Sequence, residues 1–231
     1  VGMNAERTRI KPGTNIPAAY LSYANQFGYG STSFPFTLGW SRDSRDSALV
    51  PNEGRYQRLT GELSMLGDAK YAKADYQYQQ YIPLSKKYTL AFNGEVGWGK
   101  GLNGQPFPVF KNYFSGGLGS VRGYDQSTLG PRDITGSFIG GTRKVTLNTE
   151  FMTPFPGAGN DRTLRLFGFV DVGGLYGEHD KISSEGLRYS TGVGLSWVSP
   201  LGPLRFAYAV PLRKRPGDRI QRFQFQIGTS F

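Results

Sequence analysis

No cysteine occurs in the 231 residues of this chain. That excludes disulfides and thiolate metal centres and leaves the redox compartment unmarked. Histidine occurs once, as His179, so no site that needs two imidazoles can form, and His179 itself reads as a solvated loop residue. Long hydrophobic runs are missing as well. The longest uncharged stretch, Pro12 to Ser41, is filled with Gly, Ser, Thr, Asn and Gln and is no transmembrane helix. The opening VGMNAERTRI lacks the apolar centre of a signal peptide and reads as the start of a fragment. Acidic residues are few, 17 against 27 Lys and Arg, which gives a net charge of +10. Such an excess suits an acidic partner, either nucleic acid or the phosphates of a membrane surface. The aromatic positions form no nucleic-acid motif, so no nucleic-acid partner is expected.

What is present is glycine and aromatic side chains. The 33 glycines and 14% aromatics disfavour a helical protein, and a disordered chain would lack the aromatics. Apolar and polar residues alternate along several segments with the period of a strand. In TLRLFGFVDVG, Leu164, Leu166, Val170 and Val172 share one face, and Arg165, Phe167, Phe169 and Asp171 share the other. KVTLNTEFM sets Val145, Leu147 and Phe151 against Lys144, Asn148 and Glu150. The same alternation runs through 187–197, 204–210, 222–231, 88–98 and 34–40, with weaker strands at 55–66 and 70–81 and a short one at 1–8. The total is about ten, joined by short Pro/Gly turns and longer loops in the manner of an up-and-down antiparallel meander. One segment departs from this. Asn15, Pro17 and Gly28 are placed to start and stop a short helix over 17–27.

Alternation by itself fits both a soluble sandwich, whose apolar faces form a core, and a membrane barrel, whose apolar faces meet lipid. Three features favour the barrel. The apolar faces of the best strands carry no charge, Trp40, Tyr88, Trp98, Trp197 and Phe231 gather at strand ends, and the chain closes on an alternating aromatic strand. The fold class is therefore read as all-β, a transmembrane antiparallel up-and-down barrel.

Between two convincing strands lies a turn-rich insert at about 100–141 that contains GGLGSVRGYDQSTLGPRD. Its SVRGYDQSTLGPRD strongly resembles the sixth-loop motif of the BamA family of outer-membrane assembly factors. NTEFMTPFPG, LFGFVDVGGLY, LSWVSPLGPLRFAYAVPL and FQFQIGTSF follow in the order of that family. The resemblance implies a sixteen-stranded barrel preceded by periplasmic POTRA domains, of which residues 1–231 would hold roughly the last ten strands and none of the POTRA domains. It also implies that the loop folds into the lumen through Val121, Arg122, Gly123 and Tyr124. Arg122 would then pair with acids of the inner wall, Glu150 and Asp171. Alternation independently puts both carboxylates on the face opposite the aliphatic one, and a guanidinium can bridge two carboxylates. By the same resemblance the last strand, 222–231, lies at the barrel seam. Phe223, Phe225, Ile227 and Phe231 lie along it, and Gly228 within it would weaken or kink the pairing.

No enzyme constellation is visible. Asp43 and Asp46 in SRDSRDS read as a polar turn, GWGKG lacks the spacing of a phosphate-binding loop, and no metal-ligand cluster stands out. The basic cluster Arg213, Lys214, Arg215 and Arg219 is either a solvated loop or a contact for lipopolysaccharide phosphates. The resemblance implies assembly of outer-membrane β-barrel proteins without a cofactor. Its partners would be unfolded outer-membrane proteins, accessory lipoproteins, outer-membrane lipids and lipopolysaccharide. A two-partner-secretion translocator and a passive porin are the competing readings.

Overall fold

The computed structural model describes residues 1–231 apart from 12, 14, 15, 158–162, 201 and 229–231. The strands are β1 (Gly2–Met3), β2 (Glu6–Arg9), β3 (Gly30–Asp43), β4 (Gly54–Gly67), β5 (Tyr71–Pro83), β6 (Thr89–Gly101), β7 (Gly123–Tyr124), β8 (Arg143–Pro154), β9 (Leu164–Tyr176), β10 (Arg188–Ser199), β11 (Gly202–Pro211), β12 (Ile220–Gln221) and β13 (Phe223–Ile227). One α-helix, α1 (Ala18–Phe27), and two single-turn 3-10 helices, Val109–Lys111 and Ser184–Gly186, interrupt them among the described residues. Eleven strands form a single antiparallel sheet in the order β1-β3-β4-β5-β6-β8-β9-β10-β11-β13, with β2 also on β3. β7 and β12 form a separate ladder of two. From β3 to β13 each strand of this sheet pairs with the next of its strands along the chain, as a meander requires, with β7 and β12 set aside from it. Among the described residues the sheet does not close, because β13 pairs only with β11 and β3 carries only short strands on its far side.

Burial decides between barrel and sandwich. The aliphatic face is the exposed one: Val170, Val193, Leu147 and Phe225 are 48%, 63%, 46% and 62% accessible. The polar face is the covered one, with Asp171 and Ser190 fully buried and Arg165 and Asn148 nearly so. A sandwich would reverse this, whereas lipid tolerates the first face and penalises a charge on it by about 2–4 kcal/mol at mid-membrane. Trp40, Tyr88 and Trp197 stand outward at the end with the β5–β6 and β10–β11 turns, and Trp98 stands outward at the opposite end. The sheet curls so that Arg58 of β4 and Arg205 of β11 line one cavity of about 530 Å³ on the inner face. No helix among the described residues is long and apolar enough to cross a membrane, and the spans here are strands.

Several expectations need adjustment. The opening strand is two short pieces, β1 and β2, and Asn15 lies outside the described residues. Pro17 precedes α1 directly, and the N–H of Gly28 closes its end on the carbonyl of Ala24. The last strand is shorter than 222–231. Gly228 falls just beyond it with φ 92°, although its N–H still reaches the carbonyl of Pro203 at 2.8 Å. Gly228 therefore falls directly after β13 and not within it. Phe231 lies outside the described residues.

Candidate functional site

Residues 102–142 leave β6 and return to β8 across the inner face of the sheet. The alternation of β8 and β9 aims Glu150 and Asp171 inward, and the ladder sets Asn148 directly opposite Asp171. Arg122 reaches this wall from the loop. Its Nε donates to Asp171 Oδ2 at 2.7 Å, its Nη2 to Asp171 Oδ1 at 2.5 Å, and its Nη1 to Glu150 Oε1 at 2.5 Å. The backbone N–H of Arg122 adds a bond to Asp171 Oδ2 at 3.0 Å. The planar fork thus bridges two strands, which a single ammonium could not do. The guanidinium lies 3.6 Å above the centre of the Phe169 ring, and that face-on contact adds a cation–π attraction. Arg122 is 1% accessible, so the cluster is a desolvated ion network whose members depend on one another.

Three further wall residues complete it. Arg205 of β11 pairs with the same oxygen of Glu150 and stacks 4.6 Å over Phe167. Asn148 donates to Asp171 at 2.9 Å and to the carbonyl of Ser120 at 2.5 Å. Gln224 of β13 grips the motif itself, accepting from Gly123 N–H at 3.2 Å and donating to the Tyr124 carbonyl at 2.7 Å. Each of these sits on the inward face that alternation assigns, but nothing in the one-dimensional pattern singles them out. Gly123 has φ 88°, a conformation that strains any other residue, and a Cβ there would stand a tight 3.1 Å from the Cβ of Ala209. Tyr124 is buried and its hydroxyl donates to the carbonyls of Arg213 and Tyr189. Val121 is fully buried with Tyr124 and Leu129 in a small apolar cluster.

A second anchor lies upstream on the same loop, within PFPVFKNYFSGG, a stretch that also resembles the family but whose lysine the resemblance gave no role. Lys111 donates to Glu6 of β2 at 2.8 Å and to Glu62 of β4 at 2.9 Å, and the Tyr71 hydroxyl donates to Glu62. Burial acts to lower the pKa of Lys111, but its hydrogen bonds to the two carboxylates outweigh this and hold its ammonium above the ordinary lysine range. Nearby, Phe110 meets Tyr23 of α1 edge-on at 5.9 Å. Asp133 accepts from the N–H of Ala19, and the hydroxyl of Thr135 holds its carboxyl below the usual range. The loop is therefore fixed to both flanks of the sheet. Lys111→Met should free the β2–β4 side while Arg122 still holds the other. The expected cost is about 1 kcal/mol of stability, given the partial exposure of both acids. Faster proteolysis near 105–112, with 120–130 still protected, is the result to look for.

Two members of the basic cluster bind neighbouring loop carbonyls, while Lys214 and Arg219 are exposed. Arg213 Nη1 donates to the carbonyl of Ser184 at 2.9 Å, Arg215 to that of Glu185, and Arg188 forks onto Asp218 at 2.6 and 3.0 Å. These contacts staple the β9–β10 and β11–β12 loops together. Asp43 pairs with Arg45, and Asp46 accepts from the N–H groups of Asn52 and Glu53, so SRDSRDS is a folded polar turn. Among the described residues no group of acids and His179 could hold a metal ion.

An Omp85 superfamily domain matches residues 2–231. The chain belongs to the Omp85 superfamily. It is 36% identical to the outer membrane protein assembly factor BamA of Neisseria meningitidis serogroup B, over all of this chain and 34% of that relative. BamA of Nitratidesulfovibrio vulgaris is 34% identical over 83% of the chain and 25% of its own length. Human sorting and assembly machinery component 50 homolog is 27% identical over 82% of the chain and 44% of its length. The crystal structure of BamA from Haemophilus ducreyi lacking POTRA domains 1–3 superposes with a TM-score of 0.81 at 27% identity, covering 91% of this chain and 47% of that one. CdiB from Acinetobacter baumannii shares the fold, with a TM-score of 0.57 at 16% identity over 85% of this chain and 32% of its own. The chain spans about a quarter to a third of the length of the BamA relatives it matches. As an Omp85 segment with an outward aliphatic face, it is an outer-membrane β-barrel part, and its partial sheet is open where a whole barrel would continue.

Proposed function

We propose that this Omp85 segment is the loop-and-edge part of an outer-membrane protein assembly factor that inserts and folds β-barrel proteins. The observation that carries the reading is the orientation of the β13 backbone, half of whose polar groups face away from β11, the strand it pairs with among the described residues. Ala209 N–H donates to the carbonyl of Arg222, and Gly228 N–H donates to that of Pro203. Antiparallel pairs alternate between bonded and non-bonded. The backbone groups of Gln224 and Gln226 therefore turn toward β11, and those of Phe223, Phe225 and Ile227 turn away. An edge of that kind templates an added strand through main-chain hydrogen bonds and needs no nucleotide or cofactor. Phe223, Phe225 and Ile227 are the seam residues in this reading, with Gly228 ending the seam. Val121, Arg122, Gly123 and Tyr124 fix the loop behind it on Glu150 and Asp171. Unfolded outer-membrane proteins are the substrates, accessory lipoproteins and lipopolysaccharide the further partners, and the machine is not an enzyme. The names of the BamA and component 50 relatives support the same reading.

The test is reconstitution of the full-length protein in lipid vesicles with an unfolded outer-membrane protein. Faster appearance of the heat-resistant, protease-protected folded form is expected. Steady ion conductance with no gain in folding would favour the porin. Passage of an unfolded chain into the vesicle lumen without its insertion would favour a two-partner-secretion translocator.

A further inference from the structure

We propose that Gln224 is a positioning residue that couples the lumen loop to the edge strand, so that the loop motif sets how readily the β13 edge is presented. The inference rests on the assembly reading above and adds to it a specific connection.

Three contacts carry it, and all converge on the root of β13. First, β12 runs antiparallel to β7, with Gln221 opposite Gly123 and Ile220 opposite Tyr124, and Asp125 N–H donates to the carbonyl of Arg219 at 2.9 Å. The chain is thus paired with the loop until Gln221. Second, at Arg222 it changes partner: the Ala209 N–H takes the Arg222 carbonyl, and the ladder with β11 begins. A segment that passes from one ladder to another within two residues is a natural pivot, because its backbone is committed to both bodies. Third, two residues further on, Gln224 turns its side chain back and uses both ends of its amide on the motif, the oxygen on Gly123 N–H and the nitrogen on the Tyr124 carbonyl. Gln224 is 4% accessible, and both its partners are buried main-chain groups. If β13 swings away, the Tyr124 carbonyl keeps the Gly117 N–H at 3.0 Å but both bonds to the Gln224 amide are lost, so movement of the edge and loosening of the motif are linked. The Arg122 network differs in kind. Its ion pairs reach β8, β9 and, through Glu150, β11, but not β13. Charge holds the loop on the wall, and one neutral amide passes its position to the edge.

Hydrogen–deuterium exchange on the full-length protein in lipid discs tests this with two variants. Gln224→Leu removes the clamp at similar volume. Gln224→Glu keeps the oxygen that accepts from Gly123 but cannot donate to Tyr124. With Leu, amides of 220–228 and 123–125 should exchange about tenfold faster, as two lost buried bonds imply. Amides of β8 and β9 should be unchanged, the Glu variant should be intermediate, and the rate of client folding should change with the same order of effect. Should the Leu variant fail to fold, the Glu variant decides alone. Unchanged exchange at 220–228 overturns the coupling. A uniform rise across the whole sheet also overturns it, since Gln224 would then be a general prop. If the unaltered protein folds no client at all, the assembly reading has failed, and the exchange arm still decides whether loop and edge are coupled.

Discussion

Arg122→Ala is expected to release the lumen loop and lower the assembly of outer-membrane proteins. The two acids would not suffer equally. Glu150 keeps Arg205, whereas Asp171, fully buried, keeps the amide of Asn148 and the main-chain N–H of residue 122 but loses both guanidinium donors, Nε and Nη2. Stranding one buried charge of a broken pair costs about 3–5 kcal/mol. The Val121–Tyr124 turn would then lose its polar anchor while keeping its apolar cluster and the Gln224 amide, so the loop should loosen and not leave entirely. Arg122→Lys should rescue poorly, since an ammonium cannot present a planar fork to both carboxylates. The checks are protease cleavage within 102–142 of the full-length protein and the cellular level of a folded client porin. An uncut loop with wild-type porin would show that the arginine does not hold the loop in place.

Phe225→Pro should abolish most client folding while leaving the barrel folded. The N–H of Phe225 points away from β11, so proline there removes no bond of the existing ladder, and edge strands accept proline on their free side. What it removes is the central outward donor of the β13 edge. Loss of that donor, with a ring placed in the path of an arriving strand, should slow client folding by about tenfold or more. Phe225 also stacks on Phe206 at 6.4 Å on the lipid face, so loss of the ring must be separated from loss of the donor. Phe225→Val supplies that control, keeping the N–H and a strand-favouring side chain, and should fold clients at close to the normal rate. Equal rates in the proline and valine variants would exclude templating through this edge.

The Arg122 result and the Phe225 result address different parts of the proposal. The first concerns a loop fixed behind the wall; the second concerns main-chain groups at its border. Gln224 lies between them. A defect in either that leaves the other intact would locate the step at which client folding stops.

The sequence by itself determined the faces. A period of two fixes which residues look inward, so the all-β meander, the uncharged lipid face and the inward aim of Glu150 and Asp171 were legible before any coordinate. So was the helix, because Pro17 and Gly28 mark its ends locally. The motif around Arg122 was legible only through family resemblance, since a charged loop arginine has no periodic signature. What the tertiary structure decided was height and partner. Alternation places Arg205, Asn148 and Gln224 on the inner face but does not say at which level along the wall each stands. That level is set by ladder register, which is a property of strand pairs. The Lys111 anchor joins residues 105 and 49 positions apart, and the Gln224 clamp joins residues 101 and 100 apart. No local pattern encodes such separations. Burial was the last thing decided in three dimensions: Phe167 and Phe169 fall on the polar face by alternation, and only the fold brings the guanidinium groups of Arg122, from the loop, and Arg205, from β11, over those rings.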